Sequence, residues 1–169
     1  LEMIKPGMTE IEVANQLDFF MRSKGASGVS FETIVASGLR SAMPHGVASH
    51  KVIEKGELIT LDFGCYYEGY VSDMTRTFAI GSIQPKLKEI YEIVLEAQLA
   101  ATEAVKPGVT AGELDDIARG VITKAGYGEY FNHRLGHGIG TTVHEYPSLV
   151  HGNDLVIEEG MCFSIEPGI

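Results

Sequence analysis

The stretch VIEKGELITLDFG at Val52–Gly64 returns 104 residues later as VIEEGMCFSIEPG at Val156–Gly168. Asp62 falls opposite Glu166, and Gly64 opposite Gly168. A shorter run precedes each: KPGMT at Lys5–Thr9 and KPGVT at Lys106–Thr110, an offset of 101. Two matches in one order at nearly one offset predict two copies of a single unit of about a hundred residues. Copy one covers about residues 1–84 and copy two about 85–169, within one domain over 1–169. Each copy reads as a helix followed by strands, an α+β arrangement.

The helices carry the same repeat. Thr9 with Glu12, and Thr110 with Glu113, form capping boxes. After the second, Leu114, Ile117, Ala118, Val121, Ile122 and Ala125 share one helical face; after the first, Ile11, Ala14, Leu17, Phe20 and Met21 do so less cleanly. Gly25 and Gly126 end the two helices. Pro85 opens a third helix, with Leu87, Ile90, Tyr91, Val94, Leu95, Gln98 and Leu99 at helical spacing to about Val105.

Strands are expected at Leu58–Phe63, Val71–Ile80 and Met161–Glu166. A hairpin centred between Tyr67 and Glu68 would set Asp62 directly opposite Asp73 on one face. Copy one's counterpart of the Pro85 helix would precede Leu1, and copy two's return strand would follow Ile169. The chain is therefore expected to be cut at both ends, with its last strand missing.

Composition narrows the function. Apolar residues at 44% and charged residues at 21% describe an ordinary globular chain, not a disordered tail. Thirteen Lys and Arg against 23 Asp and Glu give a net charge of −10, which argues against a nucleic-acid partner. No apolar run approaches the roughly 18 residues of a membrane span, and the start shows no signal-peptide pattern. Two cysteines without framework spacing point to a reducing, cytoplasmic setting, and Cys65 and Cys162 are expected to pack beside strands.

Three carboxylates from matched strands, Asp62, Asp73 and Glu166, have two readings: unconnected solvated charges, or a cation site. His137, between glycines in HGIG, adds an imidazole, and a carboxylate set with one His suits Mn, Co, Fe or Zn. Spacing leaves His144 open, since seven extended residues put it on the opposite face from His137 unless a bulge or turn intervenes. His133, four before His137, is equally open, while His45 follows Pro44 in a Gly-flanked loop. His50 and His151 read as surface residues. Neither HExxH nor a dinucleotide fingerprint is present.

In this order, LDFG…SDMTRT, GHGIG…VHE and SIEPG resemble the pita-bread metallopeptidases: methionine aminopeptidase, aminopeptidase P and prolidase. ASGLRSAMPHGVASHKVIEKGELITLDFG is most similar to the bacterial Xaa-Pro peptidases. The resemblance implies the pita-bread fold, in which two pseudo-twofold copies pack helices on a curved antiparallel sheet. It also implies two divalent metals, Mn first, with Asp62 and Asp73 on one side and His137 and Glu166 on the other, Asp73 bridging. His45 and His144 would contact substrate and stabilise the tetrahedral intermediate, Glu166 would shuttle a proton, and His133 would line a proline pocket. A metal-bridging hydroxide would cleave the N-terminal bond before proline in a peptide with a free amine. The family's fifth ligand would lie beyond Ile169, so this chain alone is expected to hold metal weakly and turn over little. Two further readings are a methionine aminopeptidase and an inactive peptide- or protein-binding module of the same fold. A homodimer is a common family state.

Overall fold

The computed structural model describes residues 3–169 and divides into two compact units. One runs to Leu87 and takes in Thr141–Val143; the other comprises Lys88–Gly140 and His144–Ile169. Among the described residues no helix is long and apolar enough to cross a membrane.

In the first unit, α1 (Glu10–Ser23) begins at the Thr9–Glu12 capping box, with both reciprocal bonds formed. β1 (Gly28–Val29) and β2 (Ile34–Ser37) follow, then a 3-10 turn at Gly38–Ala42, β3 (Leu58–Phe63), β4 (Cys65–Tyr67), β5 (Tyr70–Val71) and β6 (Met74–Ala79). The strands form two antiparallel sheets, ordered β2-β3-β6 and β1-β4-β5. Val13 and Ala14 of α1 join Val35, Ile53, Ile59, Leu61 and Ile80 in the core. The inward face of α1 differs from the expected one, because Phe20 is exposed and the buried Glu10 takes a place on the stripe. A charged residue among the inward positions hid the periodicity.

The second unit begins within α2 (Pro85–Ala104) and continues through α3 (Ala111–Lys124), β7 (Gly136–Gly138) and β8 (Glu145–Leu149). Leu114, Ala118 and Ile122 of α3 are fully buried beside Phe131, Leu135, Leu149 and Ile157. The face of α2 is rotated from the expectation. Ala97 and Ala101 are buried, while Tyr91, Leu95 and Leu99 are exposed. Apolar residues on two faces of this helix left its period ambiguous, and the small alanines took the core.

The repeat recurs bond for bond. Gly7 N–H donates to Ile53 O at 2.9 Å, and Gly108 N–H to Ile157 O at 3.0 Å. Ile53 and Ile157 return bonds of 2.8 Å to Met8 O and Val109 O. Ile34 pairs with Asp62 in the first unit; in the second, Glu166 N–H donates to Leu135 O at 2.8 Å.

Four expectations are corrected. The hairpin centre lies one residue later than predicted, pairing Tyr67 with Tyr70 and Asp62 with Thr75. Glu68 and Gly69 both take positive φ, 50° and 86°, which the two-residue type I′ turn requires. Val71–Ile80 is broken at Ser72–Asp73 into β5 and β6. Met161–Glu166 is extended and bonded to the β7 segment, without forming a strand of its own. Cys162 is exposed, not packed.

A buried carboxylate secures the loop after β2. Glu10 Oε1 accepts from Ser37 N–H (2.8 Å) and Oγ (3.0 Å), while Oε2 accepts from Ser49 N–H (3.1 Å), Ser49 Oγ (2.6 Å) and Arg40 Nε (3.0 Å). Burial pushes the Glu10 carboxyl up, but the bonds from Ser49 and Ser37 together outweigh it and hold it below its ordinary 4.5. A depressed carboxyl stabilises the fold fully above its unfolded value and loses that contribution as pH falls through the folded one. Glu10→Gln is therefore expected to cost about 2 kcal/mol at pH 7 in urea unfolding, with the gap from wild type closing as pH falls below 4.5.

Gly64 sits at the β3–β4 corner, where a Cβ would lie 2.8 Å from the Ser72 carbonyl carbon. Gly64→Ala is expected to lose about 1–3 kcal/mol through overpacking. Circular-dichroism melting checks this, against Gly69→Asn, which keeps a residue tolerant of positive φ.

Candidate metal centre

Each unit carries part of the predicted ligand set. In the first, Asp62 lies on β3 and Asp73 just before β6, and both are half-buried. The observed register makes them diagonal: Asp62 faces Thr75, and Asp73 lies two residues before Thr75. Asp73 sits at the break just before β6, and its half-buried exposure matches Thr75 rather than Met74, so the slip of one residue in the turn keeps it on Asp62's side. Exposure follows this pattern, with Asp73, Thr75 and Thr77 half-buried and Met74 and Arg76 exposed. Ser72 fixes the corner: its Oγ accepts from Cys65 N–H (3.0 Å) and its carbonyl accepts from Ser30 Oγ (2.9 Å). His45 is exposed on the loop held by Glu10, with its carbonyl accepting from Val47 N–H at 2.9 Å.

In the second unit, His137 lies on β7 between two backbones. Ser148 pairs with it on one side, and Ser164 N–H donates to its carbonyl at 2.8 Å on the other. A Cβ at Gly136 would lie 2.7 Å from the Ser164 carbonyl carbon, and one at Gly138 2.9 Å from that of Glu145. Glycine on both sides of His137 is what permits this packing.

His137 is 4% exposed, and its Nδ1 lies 3.0 Å from Gly138 O. A carbonyl can only accept, so Nδ1 carries a hydrogen, and in the neutral ring Nε2 presents its lone pair. That Nε2 lies 3.1 Å from Glu166 Oε1. Two lone-pair donors facing one another this closely are stable with a proton or cation between them. Two ligands roughly 2.1 Å from one ion at near a right angle stand about 3 Å apart. Ligating histidines commonly donate their other ring N–H to a carbonyl, as His137 does. The donor set, imidazole and carboxylate oxygen, therefore fits a divalent metal of the Mn, Co, Zn or Fe type.

The same unit settles the proximity that spacing left open. The His144 ring lies 4.3 Å from that of His137, steeply inclined at 65°. A turn intervenes between His137 and β8, and the ladder shifts register between His137 and Gly138, which removes the alternation argument. His133 lies near the SIEPG segment: a Cβ on Gly168 would be 3.0 Å from its Nε2. His50 is exposed, and His151 is a surface residue paired with Asp116 at 2.6 Å, whose hydrogen bond and charge hold its pKa above 6.5.

Sequence reasoning missed Ser164. Its Oγ accepts from His137 N–H (3.0 Å) and donates to Glu166 Oε1 (2.9 Å), so one hydroxyl orients both groups. Its position two residues before Glu166 in an extended segment was the only signal.

The family model of metallopeptidase family M24 matches residues 1–169. A Xaa-Pro dipeptidase of Lactobacillus helveticus is 56% identical over 169 residues, 99% of this chain and 46% of that protein. The structure of a Xaa-Pro dipeptidase from Bacillus anthracis superposes with a TM-score of 0.98 at 59% identity, over 99% of this chain and 47% of that one. The prolidase from Pyrococcus furiosus gives 0.97 at 54%, covering 99% of this chain and 50% of its own. The chain thus spans about half the length of the relatives it matches, and its fold is the α+β pita-bread architecture. On sequence and structure together, the chain belongs to metallopeptidase family M24.

Proposed function

We propose that the protein carrying this chain is a Xaa-Pro peptidase that hydrolyses the N-terminal bond before proline, using two divalent metals of which Mn is the first choice. The observation that carries the reading is the buried His137 Nε2 set 3.1 Å from Glu166 Oε1, in a family of metallopeptidases. The identity of more than half to proteins named Xaa-Pro dipeptidase supports the substrate class.

Asp62, Asp73, His137 and Glu166 would hold the metals. When bound, the metals would supply a nucleophilic water at neutral pH and polarise the scissile carbonyl. Glu166 takes and returns a proton at its carboxylate, which Ser164 Oγ steadies from one side. His45 and His144 contact the peptide and stabilise developing negative charge on its carbonyl oxygen. His133 lines the wall that receives the proline ring. Its Nδ1 lies 2.8 Å from Arg134 O, so in the neutral ring Nε2 is an acceptor. The net charge of −10 favours a substrate with a free amine over a polyanion. A cytoplasmic homodimer is the proposed setting.

In the full-length protein, Mn²⁺ calorimetry should show binding that Asp73→Asn weakens by at least about 100-fold, because even partners behind a ligand are worth 10–100-fold. Unchanged affinity in that variant removes Asp73 from the ligand set. Across a peptide panel, Ala-Pro and Met-Pro should be cleaved and Met-Ala left intact; the opposite preference assigns the chain to methionine aminopeptidase chemistry.

A further inference from the structure

Asp115 and Arg119 belong neither to the proposed ligands nor to the proposed substrate histidines, yet they reach the segment that carries both. The Asp115 side chain is fully buried on α3. Arg119, one helical turn later, lays its guanidinium along the carboxylate, with Nε to Oδ2 at 2.7 Å and Nη2 to Oδ1 at 3.0 Å. Its other bonds leave the helix: Nη1 donates to Phe131 O at 2.6 Å and Nη2 to His133 O at 2.9 Å. Asp115 Oδ1 also accepts from Leu135 N–H at 2.9 Å. The backbones of three alternate residues, Phe131, His133 and Leu135, are thus tied to one ion pair.

The same pair reaches the His133 ring. The guanidinium lies over the Phe131 ring at 4.1 Å, and that ring meets the His133 imidazole nearly edge-on at 5.0 Å. Arg134 O fixes the His133 tautomer by accepting from Nδ1 at 2.8 Å, and Gly168 borders Nε2. Beyond Leu135 the chain enters β7, which begins at Gly136 and carries His137. A buried ion pair is weak evidence for stability, since apolar replacements are often as stable. Here its hydrogen bonds are spent on loop carbonyls, which an apolar pair could not hold.

We propose that Asp115 and Arg119 are the positioning pair of His133, fixing its backbone and ring so that the Nε2 lone pair faces a proline-containing substrate. The inference rests on the substrate role proposed for His133. Arg119→Lys tests it in the full-length protein. Lysine keeps a positive charge beside Asp115 but lacks the planar fork that spans Asp115, Phe131 O and His133 O at once.

Two readouts decide it. In ¹⁵N-histidine NMR of the neutral ring, wild type should show the Nδ1–H tautomer of His133, and R119K a mixture with Nε2–H. In steady-state kinetics on Ala-Pro, R119K should raise KM about tenfold, the scale of one lost hydrogen bond, with kcat within about twofold. Thr110→Ala, which removes the α3 cap alone, should lower Tm and leave both readouts at wild type. R119K with lowered Tm but wild-type tautomer and KM makes the pair merely structural and overturns the proposal. Should R119K not fold, Asp115→Asn, which keeps an amide oxygen for Leu135 N–H, carries the same two readouts. A wild-type protein that leaves Ala-Pro uncut refutes the substrate reading, and the tautomer comparison still decides the positioning.

Discussion

His137 occupies a place where two neighbouring backbones come too close for any flanking side chain, and the second unit is arranged around that constraint. Ser148 approaches β7 from one edge and Ser164 from the other. The Ser164 backbone that would crowd a Cβ at Gly136 belongs to the segment that carries Glu166 toward the imidazole, while Glu145 and Tyr146 of β8 crowd Gly138 from the other edge. A carboxylate and a ring nitrogen are thereby held 3.1 Å apart by backbone packing, before any ion contributes. Preorganisation of this kind limits the reorganisation a metal must drive on binding.

The first unit reaches a related result by different means. Its two aspartates lie on a hairpin whose corner at Gly64 is closed by Ser30 and Ser72, and whose turn is set by Glu68 and Gly69. Each copy also buries one carboxylate from its capped helix and pairs it with an arginine: Glu10 with Arg40, and Asp115 with Arg119. The positions are not equivalent, since Glu10 corresponds to Ala111 under the offset of 101. The shared feature is the use. In both copies the charge is matched by donors from a loop that ends near a histidine, so the repeat preserves a way of anchoring loops even where its residues differ.

Most of the architecture was legible from particular residues. The duplicated VIE…G stretch makes matching backbone bonds, from Gly7 to Ile53 and from Gly108 to Ile157, and the two Thr–x–x–Glu boxes gave helix starts that the bonds reproduce. What failed did so for identifiable reasons. The α1 stripe was obscured because Glu10 occupies an inward position, and α2 offered two apolar faces of which the alanine face was buried. The hairpin slipped by one residue because Glu-Gly is a weaker turn signal than Asn-Gly, and only the φ values at Glu68 and Gly69 fix the centre.

By itself, the sequence determined the repeat, the helix boundaries, the acidic balance and the residue types able to hold a hard cation, because these depend on local chemistry and on order along the chain. Tertiary structure decided which of those residues meet. Seven residues of spacing could not bring His144 to His137; a turn and a register shift do, because period-two alternation ends where the strand ends. Ser164 and the Asp115–Arg119 pair carry no motif, and their roles arise from partners 27 positions away for Ser164 and His137, and 12 to 20 for Arg119, Asp115 and the loop. Hydrogen bonds across such separations depend on how the backbone packs, which local sequence does not encode.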